Sequence, residues 1–211
     1  VMMTAIARSG AGLSGASSVH MNIFGLQPVV VFGSDEQKRR MLPPLIAGKD
    51  KACFAVTEPN TGLNTTKLKT RAERRGDHYV LSGQKVWIST AQVANKILLL
   101  ARTTPLEEVK NPTHGLSLFY TDFDKKRVAV HEIEKMGRKP VDSNELFFEN
   151  FEIPVEDRPG AEGRGLERKA DAGHANSRPT ARSTSASSSS GSRISASMRR
   201  TASSAAAAAA S

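Results

Sequence analysis

A single cysteine, Cys53, and a single tryptophan, Trp87, stand in 211 residues. One cysteine excludes an internal disulfide and a cysteine-based metal cluster, and it fits a reducing, cytoplasmic compartment. Long apolar runs are also missing. The uncharged stretch from Ser9 to Ser34 is interrupted by Gly10, Gly12, Ser14, Gly15, Asn22 and Pro28, which argues against a membrane span. No basic segment precedes an apolar core at the start, and Val1 opens inside what reads as a helix already under way, so an N-terminal helical domain is expected in part only. A hydrophobic fraction of 38% is low for a chain packed along its whole length. Acidic residues are outnumbered, 21 to 30, giving a net charge of +9. Most of that excess falls after Gly163, where eight Lys or Arg face only Glu167 and Asp171. This tail carries no interleaved aromatics for base stacking, so no specific nucleic-acid partner is expected.

What is present divides into three zones, predicting an α+β chain. Residues 1–50 read as the end of a helical domain. Ser34 and Gln37 have capping-box spacing, Gly48 sits where a helix would stop, and Pro43-Pro44 should split the segment into two short helices. Residues 51–163 alternate and turn like an antiparallel β-barrel or sandwich of about eight strands. The strands expected are Ala52 to Thr57, one from Leu68, His78 to Leu81, Lys85 to Ser89, Lys96 to Arg102, Leu116 to Asp122, Arg127 to Ile133 and Glu145 to Ile153. Gly76-Asp77, Ser82-Gly83, Asn111-Pro112 and Gly137 supply the turns. Residues 164–211 are expected to be a disordered Ser/Ala/Arg-rich tail: Ser and Ala fill 23 of the last 35 positions, and a shift of reading frame would produce such a composition.

Two segments carry chemistry. Thr57-Glu58-Pro59-Asn60-Thr61-Gly62 and, downstream, Trp87-Ile88-Ser89 look like two edges of a flavin pocket. A flavin is a flat polar ring, so its site needs an apolar plate with hydroxyls and N–H groups at fixed places. Trp87 could be that plate or a core aromatic. Thr57 and Ser89 offer hydroxyls, Pro59 fixes the loop, and Gly62 lets backbone approach a ligand. Gly10-Ala11-Gly12-Leu13-Ser14-Gly15 spells the dinucleotide fingerprint, but Ala5-Ile6-Ala7-Arg8-Ser9 reads as a helix end instead of the buried strand that must precede it. Arg75-Gly76-Asp77 is read as a hairpin turn, and Asn64-Thr65-Thr66 as no glycosylation site.

Phe54 to Gly62 and Gly83-Gln84-Lys85-Val86-Trp87-Ile88-Ser89, with Leu42-Pro43-Pro44-Leu45, Gly76-Asp77-His78-Tyr79 and Lys135-Met136-Gly137 in order around them, resemble the acyl-CoA dehydrogenase family. The resemblance implies a middle β domain binding FAD through Phe54, Val56, Thr57, Gly62, Leu63, Trp87, Ile88 and Ser89, with Leu63 also toward the substrate. It implies oxidation of an acyl-CoA thioester to the 2,3-enoyl-CoA, electron-transfer flavoprotein as acceptor, and a homo-oligomer in the intact family member. Two departures stand out. Leu63-Asn64 replaces the family's hydroxyl residue and Asp, leaving the Leu63 N–H as donor, and Ser89 replaces the more frequent Thr, losing a methyl that stiffens the rotamer. The family's catalytic Glu belongs to a C-terminal helical bundle that should begin after Gly165, and no segment matches it. No catalytic residue and no metal ligand is therefore assigned. Glu58 is expected to hold local backbone. The competing reading is a non-catalytic β-domain fragment or interaction protein without turnover.

Overall fold

The computed structural model describes residues 2–165; the disordered Ser/Ala/Arg-rich tail expected over 164–211 lies outside the described residues, apart from Arg164 and Gly165. Helices α1 (Met2–Ile6), α2 (Gly12–Phe24), α3 (Gln27–Phe32) and α4 (Asp35–Ile46) come first. A π-helical turn, Ala7–Ala11, joins α1 to α2, with Gly10 at φ 90° making the kink. The glycine-rich run is thus helical on both sides, which removes the strand that a dinucleotide fingerprint requires.

The capping box of α4 forms as its spacing predicts. Ser34 N donates to Gln37 Oε1 at 2.9 Å and Gln37 N donates to Ser34 Oγ at 3.1 Å. Gly48, at φ 70°, follows the last turn. The expected split at Pro43-Pro44 does not occur: α4 runs through both prolines as one helix. Proline removes its own N–H but keeps its carbonyl, and here Pro43 O accepts from Ala47 N and Pro44 O from Lys49 N, each at 2.9 Å. The turns before the prolines are also anchored from outside. Arg40 pairs with Asp157 at 2.8 Å and Gln37 Nε2 donates to Glu156 O at 2.8 Å.

The β domain is one seven-stranded sheet, curled into a half-barrel. Its strands are β1 (Ala52–Ala55), β2 (Arg71–Arg75), β3 (His78–Ser89), β4 (Lys96–Arg102), β5 (Leu116–Asp122), β6 (Val128–Glu132) and β7 (Ser143–Pro154). Their order is β1-β4-β2-β3-β7-β6, with β5 along β4. Most ladders are antiparallel as expected, but β4 runs parallel to β1 and, at Arg71–Arg102, to β2, so the sheet is mixed. Arg75-Gly76-Asp77 is the β2–β3 hairpin turn.

Both faces of β4 are covered, which explains its unbroken apolar run. Ile97, Leu99 and Ala101 enter a core with Tyr79, Leu81, Phe119 and Leu146, whereas Leu98 and Leu100 meet Leu26, Val29 and Met41 on the helical side. Each fully buried leucine contributes about 1.5–3 kcal/mol by the area it removes from water. In place of two strands separated by a turn at Ser82-Gly83, β3 is continuous through these residues, with a register shift between Leu81 and Gly83. The glycine serves a bulge and a close approach rather than a turn.

Candidate functional site

A second irregularity in β3 shapes the site. Lys85 pairs with Leu146 and Ile88 with Asn144, so Val86 and Trp87 together face only Glu145 across the sheet. This is a β-bulge, and Trp87 adopts φ 62° within it. Simple alternation would put Lys85, Trp87 and Ser89 on one face. The bulge separates them: Lys85 is wholly buried, while Trp87 is 61% exposed. A non-glycine residue held in the left-handed region and presenting a large ring to solvent is a feature that tends to gather at binding sites.

The loop after β1 is fastened to this bulge by a hydrogen bond from Val86 N to Thr57 O of 2.9 Å. Thr57 and Trp87, remote in sequence, are thereby brought together. Thr57 and Ser89 are half-buried, and neither hydroxyl donates or accepts a side-chain hydrogen bond among the described residues. Gly62 opens on empty space, with no atom within 4 Å of where a Cβ would stand, and Leu63 is fully exposed. Two hydroxyls without side-chain hydrogen bonds among the described residues, an uncovered indole and an open glycine are groups of the kind that a flat ring with polar edges needs. The other expected contacts lie deeper. Val56 and Ile88 bury their side chains in the two cores and Phe54 packs against the helical-side core, so Val56 and Ile88 present backbone alone.

Glu58 holds backbone, as expected. Its Oε2 accepts from Lys69 N at 2.7 Å and its Oε1 from Thr70 N at 3.0 Å and Lys85 Nζ at 2.9 Å. Burial raises its pKa, but the Lys85 charge and these hydrogen bonds outweigh that and hold the carboxyl below its ordinary value. An ionised carboxylate engaged on both oxygens is not a free base. Lys85 was not singled out by sequence reasoning. The available signal was a lysine in mid-strand, two residues before the tryptophan. Arg102 was missed likewise: it is buried, donates to the carbonyls of Thr66, Leu68, Thr104 and His114, and its pKa is lowered by desolvation. Burial pushes the Cys53 thiol well above its ordinary value, so it is no nucleophile.

Thr61 is buried with no partner for its Oγ1 among the described residues. An unmatched buried hydroxyl costs its desolvation, so Thr61→Val is expected to stabilise the protein by about 1 kcal/mol. Thermal unfolding should then shift upward by about 2–4 °C. A fall in the midpoint would mean that solvent satisfies the hydroxyl.

Elsewhere, an apolar hollow of about 650 Å³ lies among the helices, lined by Val19, Leu26, Val30, Leu42, Leu45 and Ile46. No helix of the described residues is long and apolar enough to cross a membrane. Among the same residues no group of three or more His, Cys, Asp or Glu could hold a metal.

Two family models match the chain: the acyl-CoA dehydrogenase N-terminal domain over residues 1–49 and the acyl-CoA dehydrogenase middle domain over residues 53–151. The mitochondrial long-chain specific acyl-CoA dehydrogenase of Mus musculus is 33% identical over 151 residues, 71% of this chain and 34% of that protein. The chain therefore spans about a third of that relative's length. Among solved structures, an acyl-CoA dehydrogenase complexed with FAD from Bacillus anthracis superposes with TM-score 0.67 at 30% identity, covering 75% of this chain and 27% of that one. A chain from the structure of the electron transferring flavoprotein of Acidaminococcus fermentans superposes with TM-score 0.69 at 28% identity, covering 75% and 41%.

Proposed function

Because this chain belongs to the acyl-CoA dehydrogenase family, we propose that its β domain is a half-site for FAD in the oxidation of an acyl-CoA thioester to the 2,3-enoyl-CoA. The observation that carries this reading is the Val86–Thr57 hydrogen bond, which sets the Trp87 bulge beside the Thr57 loop. Trp87 serves as the plate against which the ring lies, and the Thr57 and Ser89 hydroxyls bond its polar edge. Backbone of Val56 and Ile88 lines the approach, Phe54 supports it from beneath, and the N–H groups of Gly62 and Leu63 remain to meet anionic or carbonyl oxygens. Leu63 also faces the substrate arm. When bound, FAD supplies the hydride acceptor for the β-hydrogen.

The chain's own residues bind and orient. Glu58, the carboxylate beside Thr57, is not assigned the removal of the α-proton, since it is already engaged by Lys69, Thr70 and Lys85. That engagement favours a second reading, in which the described domain holds flavin without turnover. The chain that superposes from an electron transferring flavoprotein structure supports a flavoprotein of that kind as electron acceptor. A homo-oligomer and a cytoplasmic location complete the proposal.

The test is titration of the purified chain with FAD, followed by flavin fluorescence anisotropy. Trp87→Ala is expected to weaken binding at least about tenfold, equivalent to about 1.4 kcal/mol, with Trp87→Phe retaining most of the affinity. Equal affinity in all three proteins would remove Trp87 from the site. Adding an acyl-CoA and an artificial electron acceptor then separates the two readings: FAD-dependent turnover selects the dehydrogenase, and binding alone selects the non-catalytic half-site.

A further inference from the structure

Three consecutive residues, Val56, Thr57 and Glu58, are gripped by two consecutive residues of β3. Lys85 Nζ donates to Val56 O at 3.1 Å and to Glu58 Oε1 at 2.9 Å, and Val86 N donates to Thr57 O between them. Trp87 follows at once, turned outward by the bulge. Lys85 has no exposed surface, and Glu58 is nearly as deep.

A pair of charges sealed from water is weak evidence of added stability, because desolvation consumes much of the Coulombic gain, and apolar side chains of similar volume often do as well. What an apolar pair cannot do is specify register. The ammonium of Lys85 has fixed donors for two acceptors that flank Thr57, so the loop can sit at one height along β3 and no other. Glu58 extends the same constraint through Lys69 N and Thr70 N to the segment entering β2.

We propose that Lys85 and Glu58 are a positioning pair that sets the gap between the Thr57 hydroxyl and the Trp87 ring before a ligand arrives. The proposal rests on the flavin reading of the same site and adds residues that touch no ligand themselves. Its physical basis is preorganisation: a supporting shell that fixes the contacting groups removes the ordering cost from the binding step.

Trp87 is the chain's only tryptophan, so its fluorescence reports this geometry without any cofactor. The full chain is compared with Lys85→Met and with the double variant Lys85→Met/Glu58→Gln, which removes both charges at similar volume. Urea unfolding, acrylamide quenching of Trp87 in the ligand-free protein, and FAD affinity are measured on each. The single variant should unfold at lower urea, because Glu58 is left buried without its cation. The double variant should recover much of the unfolding midpoint while keeping an altered quenching constant and binding FAD about tenfold or more weakly than the parent. Parental quenching and affinity in the double variant would overturn the proposal, as would a double variant that fails to fold, since the pair would then be structural only. Should the parent bind no FAD, the flavin reading falls, and quenching alone decides the pair: altered in the double variant supports it, unaltered overturns it.

Discussion

Glu58→Ala is expected to destabilise the protein by about 3–5 kcal/mol, read from the urea midpoint at constant slope. The loss exceeds that of an ordinary surface carboxylate because three donors lose their acceptor at once. Lys69 N and Thr70 N lose the acceptor they share, and the wholly buried Lys85 ammonium loses its carboxylate. The pH dependence should change in a way that identifies the cause. In the parent, Glu58 has a folded pKa below its ordinary 4.5, so its stabilisation is full above that pH and disappears as pH falls through the folded value. The variant lacks this acid-side loss. A variant with the parent's pH profile merely shifted downward would place the cost in packing rather than in the ion pair.

The same residue shows how far the sequence could be read. Glu58 was legible as a backbone holder because it lies in the Thr-Glu-Pro loop, a different position from the catalytic Glu that the family resemblance implies. Its partner was not, because a lysine in a strand reads as solvent-facing unless a bulge is known to lie beside it. Strands β4 and β5 were legible to the residue, set off by the turn signal Asn111-Pro112 between them. The parallel pairing of β1 with β4 was not, since periodicity reports which face is buried and says nothing about the direction of a neighbour. The prolines of α4 misled for a related reason. Their local cost is real, but Arg40 and Gln37 anchor the helix to the segment after β7, more than a hundred residues away. For the site, motif resemblance brought Thr57 and Trp87 into one hypothesis, and the bulge with its hydrogen bond brings them into one place.

Gly83→Ala is expected to cost about 3 kcal/mol or more, from overpacking together with backbone strain. A Cβ at Gly83 would stand 2.6 Å from Thr70 Oγ1 and 2.7 Å from Thr70 Cα, and the residue sits at φ 151°. The hydroxyl could rotate away, but the Cα could move only with the backbone, and that backbone is pinned. Thr70 N donates to Glu58 Oε1 at 3.0 Å and Thr70 O accepts from Arg102 N at 2.8 Å. Any relief at Gly83 is therefore transmitted to the Glu58 carboxylate, and through it to the loop that carries Thr57. Gly76→Ala is the matched control: Gly76 lies at φ 65° in the β2–β3 hairpin with nothing within 4 Å of a Cβ, so it tests positive φ without crowding and should cost about 1 kcal/mol. Equal losses at the two glycines, measured by urea unfolding, would show that β3 does not depend on the close approach to Thr70. A larger loss at Gly83, accompanied by altered Trp87 emission, would show that the first bulge of β3 supports the second.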